Sequence, residues 1–355
     1  MTIERLARPE LGPAVARIGA RVGEAIDGLR GAARSTEWAQ AIAATRAIAD
    51  GPQHHLRSQL VLIGDLAGGG RGEGDAVEEL ACGLELLHLF MLVHDDVIDE
   101  AGMRRGRPPV HVALLAAAPS LGRTDARNLA IVVGNLLNVL GMERVVRADR
   151  AGAATRVVLD ACRRTGVGQF EDVVGWKGEQ HAELDAAHFR ALMEDKSAHQ
   201  AFAAPLAAGL LRVNPDADAS AARAWGCRMG VALQALDDLA DLVGNPAETG
   251  KDSFRDLIEG RLSLAVLLLL ERATLPDERE FLSSVIGADV VTLPERRTLQ
   301  RMLEAYDVVA ACRAFVRDEI AAARAIADGA ALPPAAREAL AAIERGLADA
   351  VDALG

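Results

Sequence analysis

The stretch that decides the fold reads Glu85-Leu-Leu-His-Leu-Phe-Met-Leu-Val-His-Asp-Asp-Val-Ile-Asp-Glu100. Its first ten residues are apolar on nearly every side, which predicts a buried helix. The helix ends in three carboxylates, of which Asp95 and Asp99 are four residues apart and therefore lie on one face. Stacked carboxylates repel each other, and a hard divalent cation such as Mg²⁺ would relieve that repulsion. Because Arg104 and Arg105 follow directly, the stretch predicts a polyanion held between metal and guanidinium groups.

The acidic pattern occurs a second time in the chain. The stretch Leu233-Gln-Ala-Leu-Asp-Asp-Leu-Ala-Asp241 is again apolar and again ends in aspartates with the spacing of the first motif, Asp237, Asp238 and Asp241. One motif of this kind is typical of a solvated acidic helix end. Two copies with the same spacing, each closing an apolar helix, favour a function over simple surface charge.

The composition predicts an all-α fold. Half of the 355 residues are hydrophobic and only 3% are aromatic. Periodic segments are long enough for helices, and alternating runs of β-branched residues are almost absent. A chain of this length can bury a substantial core. Among the predicted elements is one continuous helix from Leu184 to Leu211 that carries Lys196.

Charge and hydropathy indicate which binding partners and which cellular compartment to expect. The net charge of −12 argues against nucleic acid or an anionic membrane surface as a partner. The longest apolar run, Leu262 to Leu270, is too short to span a bilayer, and the N-terminus lacks the apolar core of a signal peptide. We therefore predict a soluble cytoplasmic protein without a transmembrane segment. Four widely spaced cysteines without metal-ligand pairing agree with a reducing compartment; they are Cys82, Cys162, Cys227 and Cys312.

The chain resembles the trans-isoprenyl diphosphate synthases, the polyprenyl synthetase family. The resemblance rests on His-Asp-Asp-Val-Ile-Asp (94–99), then Met-Arg-Arg-Gly-Arg-Pro-Pro-Val-His (103–111), with the second acidic motif downstream, and it extends from about Gln53 to Arg261. It implies an all-α isoprenoid synthase helical bundle whose two motifs face each other across a deep central cavity. The domain organisation predicted from it is a helical segment over residues 1–50 packed on a catalytic domain over residues 51–355. The implied enzyme is a Mg²⁺-dependent, homodimeric short-chain prenyltransferase of the farnesyl or geranylgeranyl diphosphate synthase type.

The same resemblance implies which residues bind metal and substrates. The implied metal ligands are the aspartates of both motifs, Asp95, Asp96, Asp99, Asp237, Asp238 and Asp241. The residues implied to contact the allylic diphosphate are Arg104, Lys196, Gln234 and Lys251, and Ser197 and Arg261 are further implied substrate-binding residues. The residues implied to hold isopentenyl diphosphate are His54, Arg57, His88 and Arg105. Catalysis requires that metal and cations take up the charge developing on the leaving diphosphate. The implied catalytic residues are therefore Asp95, Asp99, Asp237, Lys196 and Arg104.

Lysine usage supports two of these assignments. Of 39 basic residues only Lys177, Lys196 and Lys251 are lysine. A lysine kept in a chain with this arginine bias suggests a need for a compact ammonium. Lys196 and Lys251 match positions at which the family binds the allylic diphosphate, whereas Lys177 matches nothing.

The acceptor half of the implied site departs from the family pattern. The family's Gly-Gly-Lys-Arg-x-Arg-Pro segment reads here Pro52-Gln-His-His-Leu-Arg-Ser58, so His54 stands where the family has a lysine. A neutral histidine is a poor replacement for a permanent cation. Three functions therefore stay open: a synthase that uses isopentenyl diphosphate, a terpene cyclase-like enzyme or prenyltransferase with another acceptor, and a non-catalytic subunit of an active synthase.

The helix before the first motif also bears on product length. A growing chain would run along this helix away from the diphosphates, and Phe90 stands five residues before Asp95. A bulky, rigid side chain there would stop growth near C15 to C20. The alternative is that Phe90 is simply part of the core.

Overall fold

The structure is a computed structural model that describes residues 9–51, 55–104, 106–174, 185–243, 257, 260–261, 263–288 and 290–354. The predicted site positions outside the described residues are His54, Arg105 and Lys251, together with the side chain of Asp241. The predicted all-α class is confirmed, since 82% of the described residues are helical. Within the described ranges, β-type pairing is limited to one isolated bridge between Arg104 and Arg107.

Fifteen α-helices and one π-helical stretch span most of the described chain. In chain order the helices are α1 (Gly12–Gly28), α2 (Thr36–Ala49), α3 (Leu56–Ala67), α4 (Asp75–Ile98), α5 (Val110–Ala117), α6 (Gly122–Ala148), α7 (Ala153–Val174), α8 (Ala186–Met193), α9 (Ala204–Val213), α10 (Ser220–Val243), α11 (Leu264–Arg272), α12 (Pro276–Val285), α13 (Leu293–Ala305), α14 (Val308–Gly329) and α15 (Pro334–Ala353). The π-helical stretch, Glu194–Ala203, lies between α8 and α9.

The chain divides into two compact units. The first contains Ala7–Val157 and Pro205–Ala217, and the second contains Val158–Ala204 and Asp218–Gly355. The first acidic motif belongs to the first unit and the second motif to the second unit. The domain boundary predicted after residue 50 stays a prediction.

Helix α4 is the centre of the first unit because it is apolar almost all round. It packs against α1, α3 and α6, and its buried side chains include Leu80, Leu84 and Leu86. Glu78 in its first turn accepts a hydrogen bond from Arg17 Nε of α1 at 2.9 Å. A carboxylate near a helix N-terminus also interacts favourably with the helix dipole. The burial of α4 fixes where its acidic C-terminal end must lie.

Helix α6 buries one face against α4 and exposes an apolar stripe on the other. Val132, Val139 and Val146 are each more than half exposed, and their spacing of seven residues places them in one row. The segment Pro119–Ala148 is the one described helix long and apolar enough to cross a membrane by length and composition, and a third of its apolar window is buried. Core helices of soluble proteins can have the same composition, so the prediction of no transmembrane segment stays a prediction.

Helix α10 has the central position in the second unit. It packs against α14 and the π-helical stretch, and Trp225 is almost fully buried there. The indole Nε1 of Trp225 donates to Glu344 Oε1 of α15 at 2.9 Å, so its polar atom is satisfied in the core. A second buried carboxylate, Glu319 of α14, accepts from Arg228 of α10 at 3.0 Å and from Arg190 of α8. Two buried acids thus join α10 to the helices around it.

The predicted continuous helix from Leu184 to Leu211 is wrong in its middle. The segment forms α8, then ten residues of π-helix, then α9. A π-helical segment is rare and often occurs at functional sites, because its wider turn re-aims the side chains that it carries. The apolar pattern of this segment did not reveal the π-helical turn. The π-helical stretch carries Lys196.

Gly168 of α7 permits a close approach to the π-helical stretch. A Cβ at this position would lie only 2.6 Å from Lys196 Cα and 2.8 Å from Asp195 C. Both of those atoms are backbone, so no side-chain rotation could relieve the overlap. The close packing therefore requires glycine at this point of α7.

Gly168→Ala should therefore destabilise the protein, by about 1–3 kcal/mol as in an overpacked core. Gly166→Ala is the matched control, because it lies on the same helix and a Cβ there meets nothing within 4 Å. The control should raise stability by up to about 1 kcal/mol, since alanine is the better helix former. Chemical denaturation of both variants measures the difference. Equal effects of the two substitutions would contradict the close approach.

A buried polar cluster of His55, Ser58 and Glu85 joins the start of α3 to α4. The backbone N–H and the hydroxyl of Ser58 donate to Glu85 Oε1 at 3.1 and 2.8 Å. His55 Nδ1 lies 3.7 Å from Glu85 Oε2, and its φ of 45° is left-handed. Burial would raise the pKa of Glu85, but the interaction with His55, the charge of Arg57 and the Ser58 hydrogen bond outweigh burial and lower the pKa to about 2. Glu85 is therefore a buried carboxylate that stays ionised.

We expect Glu85→Gln to destabilise the protein at neutral pH and to lose that effect in acid. A folded pKa near 2 lies below the usual value of about 4.3, so the ionised group stabilises the fold above about pH 4.3, by roughly 3 kcal/mol. This contribution is lost as pH falls towards 2, because the wild-type carboxylate becomes protonated. Urea unfolding between about pH 5 and pH 3 should show the wild-type and variant stabilities converging. A constant difference over that range would show that Glu85 acts through packing alone.

Candidate active site

The first acidic motif lies at the C-terminal end of α4. Asp95 and Asp99 are partly exposed and one helical turn apart, whereas Asp96 is only 1% exposed. The helix ends at Ile98, and Glu100 then takes a left-handed φ of 49°. The apolar face of α4 thus delivers two accessible carboxylates and one buried one at the edge of the core.

Arg104 is held directly over this motif. A tight turn fixes its backbone, with Arg104 N donating to Arg107 O at 2.7 Å and Arg107 N donating back at 2.9 Å. Its guanidinium donates from Nε to Asp96 Oδ1 at 2.6 Å and from an Nη to Asp95 Oδ2 at 3.1 Å. The pairing of Arg104 with two adjacent carboxylates confirms that cation and acids lie together.

The carboxylates of the first motif fit a hard divalent cation. Asp96 Oδ2 is buried and has no hydrogen-bond partner, which is an uncommon state for a carboxylate oxygen. The pKa of Asp96 is raised to about 6, chiefly by burial, which outweighs Arg104, while Asp95 and Asp99 add to the rise. Hard oxygen donors, mutual repulsion and an unsatisfied oxygen together suit Mg²⁺. Asp95, Asp96 and Asp99 would hold it.

The second acidic motif lies near the C-terminal end of α10. Asp237 and Asp238 are partly exposed, between the buried side chains of Leu236 and Leu239. Gln234 Nε2 donates to Asp238 Oδ1 at 2.8 Å across one helical turn, which fixes that carboxylate. The motif therefore repeats the arrangement of the first one, an apolar helix that presents carboxylates along one side.

Lys196 and Arg261 meet on one carboxylate that sequence reasoning did not include in the site. Lys196 Nζ donates to Asp172 Oδ2 of α7 at 2.7 Å, and an Nη of Arg261 approaches the same oxygen at 3.5 Å. Asp172 is almost fully buried, so it acts as the anion that positions both cations. Its only signal in the sequence is an acid at the end of an otherwise ordinary helical segment. Position in the chain alone could not reveal that it faces Lys196.

The remaining predicted site residues that the structure describes lie on helices of the two compact units. Arg57 on α3 and His88 and Phe90 on α4 are half-buried, and the Phe90 ring packs edge-on against His94 with centroids 4.8 Å apart. Ser197 on the π-helical stretch is also half-buried. Each unit thus brings together its own share of the predicted residues: carboxylates, Arg104, Arg57 and His88 in the first, and carboxylates, Lys196, Gln234 and Arg261 in the second.

Sequence comparison places the chain among known prenyl diphosphate synthases. The family model for polyprenyl synthetase matches residues 39–301. The short chain isoprenyl diphosphate synthase of Methanothermobacter thermautotrophicus is 32% identical over 236 residues, which cover 66% of this chain and 67% of that protein. The geranylgeranyl diphosphate synthase of Saccharolobus solfataricus is 26% identical over 234 residues, 64% of this chain and 65% of that protein. The chain thus spans about two thirds of the length of these relatives.

Solved structures share the fold over nearly the whole chain. The geranylgeranyl pyrophosphate synthase of Corynebacterium glutamicum, in complex with isoprenyl diphosphate and magnesium, has a TM-score of 0.80 at 22% identity and covers 94% of this chain and 98% of its own. The polyprenyl synthase of Caulobacter crescentus, in complex with calcium and isoprenyl diphosphate, has a TM-score of 0.79 at 23% identity, covering 98% and 97%. Family match, motifs and fold agree. The chain therefore belongs to the polyprenyl synthetase family and is a trans-prenyltransferase of the prenyl diphosphate synthase type.

Proposed function

We propose that this protein is a Mg²⁺-dependent synthase that condenses isopentenyl diphosphate with an allylic diphosphate to a short trans-prenyl diphosphate of about C15 to C20. The observation that carries the proposal is the repeated arrangement of carboxylates beside a fixed cation. Asp95 and Asp96 share Arg104, while Lys196 is fixed by Asp172 in the unit that carries the second motif. A metal-bridged diphosphate needs both kinds of group.

The chain's own residues would prepare the allylic diphosphate for loss of its diphosphate. Arg104 and Lys196 are held by carboxylates, so their charges need little reorganisation when a diphosphate binds. Bound Mg²⁺ would supply further positive charge to the leaving diphosphate. The C–O bond of the allylic substrate breaks, the double bond of isopentenyl diphosphate attacks the resulting carbocation, and a proton is lost. Release of inorganic diphosphate balances the reaction.

The acceptor would be held in the first unit. Arg57 and His88 are half-buried on neighbouring helices α3 and α4, which suits a bound diphosphate in a partly desolvated site. The names of the relatives, a short chain isoprenyl diphosphate synthase and geranylgeranyl diphosphate synthases, support isopentenyl diphosphate as the acceptor. The cyclase-like alternative rests on His54 alone, and no further observation favours it.

Purified protein incubated with Mg²⁺ and allylic diphosphates should release diphosphate only when isopentenyl diphosphate is also present. Release without isopentenyl diphosphate would overturn the proposal in favour of a cyclase or another acceptor. Asp95→Asn and Asp237→Asn should lower the rate by at least about a hundredfold, since each removes a carboxylate that would hold the Mg²⁺ needed to stabilise the leaving diphosphate. Glu100→Gln is the matched control: Glu100 is exposed, follows the motif directly and pairs with Arg127 at the surface, so activity should persist.

Product length is read in the same assay, and Phe90 is the residue proposed to limit it. The half-buried ring lies five residues before Asp95 on α4, packed against His94. Phe90→Ala should therefore shift the products to longer chains than those of the wild-type enzyme, detected by mass spectrometry of the dephosphorylated alcohols. An unchanged distribution would place the limit at another residue.

We propose a homodimer built on the exposed stripe of α6. Val132, Val139 and Val146 form an apolar row that is unusual on a monomer surface, and a second copy could cover it symmetrically. Val139→Glu should shift the protein to monomers in analytical ultracentrifugation, because a charge would be buried without a partner. The exposed Arg147→Glu on the same helix serves as the control for added negative charge and should leave the dimer in place. Wild-type protein that sediments as a monomer would contradict the proposal.

A cytoplasmic location stays a prediction.

A further inference from the structure

Three side chains of the second unit converge at a point that the prenyltransfer chemistry does not use. Glu194 at the start of the π-helical stretch, His199 within it and Cys227 on α10 each direct one ligand atom inward, and these atoms all lie within 4.8 Å of one another. The spacing of the cysteines in the sequence predicted no metal pairing. The fold supplies partners for Cys227 that spacing along the chain could not reveal.

The close packing of α10 against the π-helical stretch creates this cluster. Gly226, the neighbour of Cys227, lies so near the stretch that a Cβ there would come within 2.6 Å of Ala203 N. Cys227 Sγ is consequently 3.7 Å from His199 Nδ1. For a tetrahedral Zn²⁺ with Zn–S of about 2.3 Å and Zn–N of about 2.0 Å, sulfur and nitrogen should be about 3.5 Å apart. The observed separation already matches that edge.

We propose that Glu194, His199 and Cys227 form a binding site for one Zn²⁺ ion, separate from the acidic motifs. Thiolate, imidazole and a single carboxylate are the ligands that Zn²⁺ prefers, whereas Mg²⁺ prefers oxygen ligands alone. The fourth position of the tetrahedron would be taken by water. The proposal does not depend on the reaction that the acidic motifs support.

The surroundings of His199 favour the proposed coordination. Asp195 Oδ1 lies 3.8 Å from His199 Nε2, and Cys227 Sγ lies 3.7 Å from His199 Nδ1 and 4.0 Å from Nε2, so Nδ1 is the ring nitrogen nearer the sulfur. A carboxylate beside the second ring nitrogen orients a metal-bound histidine and increases its basicity. Asp195 is itself held by Arg164 at 3.2 Å, and Arg164 also pairs with Asp160 at 3.0 Å. The positive charge of Arg164 near the proposed site is therefore balanced by Asp160 and Asp195.

Protonation of the cluster agrees with a site that gains a metal. Burial is the main cause that lowers the pKa of His199, which keeps the imidazole neutral and able to donate its lone pair. Burial also raises the pKa of the Cys227 thiol to about 12, so the thiol is protonated until a metal binds. On binding, the S–H bond breaks, its electron pair forms the Zn–S bond and one proton passes to solvent. Glu194 and His199 donate existing lone pairs, so one proton is released per ion.

The bound ion would hold the π-helical stretch against α10 through shared metal ligands. Glu194 and His199 flank Lys196 and Ser197 in the chain, so a metal that joins both to Cys227 would fix the segment bearing these residues. Zn²⁺ should consequently raise the Tm of the protein, because it binds the folded state at a site that unfolding destroys.

Cobalt is the probe that separates this site from the acidic motifs. The full-length protein, freed of metal and then kept in excess Mg²⁺, should bind one equivalent of Co²⁺ with a thiolate-to-cobalt charge-transfer band in the near ultraviolet. Oxygen ligands of the acidic motifs give no such band. One equivalent of Zn²⁺ should abolish the band by replacing Co²⁺, and Zn²⁺ added to the metal-free protein should release one proton, read with a pH indicator. Absence of the band in the wild-type protein overturns the proposal.

Matched variants assign the ligands. Cys227→Ser should lose the band, whereas Cys162→Ser should keep it, because Cys162 is a similarly half-buried thiol of the same unit outside the cluster. If Cys227→Ser fails to fold, Glu194→Gln provides the test. This substitution changes the side-chain volume very little and should weaken Zn²⁺ binding at least tenfold. Asp195→Asn should weaken it by about 10–100-fold while keeping the band, as expected of a residue that orients a ligand. A band that survives in Cys227→Ser, or unchanged affinity in Glu194→Gln, would reject this ligand set.

Discussion

Charge pairing at the edge of an apolar core is the constraint on which the rest of this structure depends. Both motif helices are apolar, so their terminal carboxylates lie where water is only partly available. An unmatched buried charge costs several kcal/mol, and removing one partner of a buried pair typically costs about 3–5 kcal/mol. Asp96 is matched by Arg104, and Asp172 by Lys196 and Arg261. The groups that suit a diphosphate are thus also groups that the fold requires.

This constraint holds Arg104 and Lys196 in place, each within its own unit. Arg104 is fixed twice, by the backbone turn to Arg107 and by the carboxylates of the first motif. Lys196 is likewise fixed twice, by Asp172 and by the contact of its backbone with Gly168. Cations held in this way pay little entropy when they meet an anion, which is the condition for electrostatic catalysis. In the proposed function, a diphosphate would compete with protein carboxylates for the same cations.

The sequence predicted those parts of the site that depend on local patterns. The apolar stretch before Asp237 lies on helix α10, and the apolar stretch before Asp95 forms a buried helix, α4, as predicted. The π-helical stretch escaped prediction because π-helices are rare, so a helical pattern between two α-helical segments predicts a continuous α-helix. Asp172, and the pairing of Glu85 with His55, escaped because both depend on which helices pack together. Local patterns fix helices, but partners of buried charges come from tertiary contacts.

The retention of lysine at position 196 follows from its buried partner. Only three of the 39 basic residues are lysine, so arginine is the default cation of this chain. Lys196 Nζ lies 2.7 Å from Asp172 Oδ2, and the guanidinium of Arg261 already approaches that oxygen. An ammonium directs three N–H groups tetrahedrally, so one can donate to Asp172 while another is left for a second anion, which in the proposed function is a diphosphate oxygen. A guanidinium directs its donors within one plane, as Arg104 does when it joins Asp95 and Asp96. Lysine at this position therefore supplies a compact ammonium whose remaining N–H donors are not confined to the plane of a guanidinium.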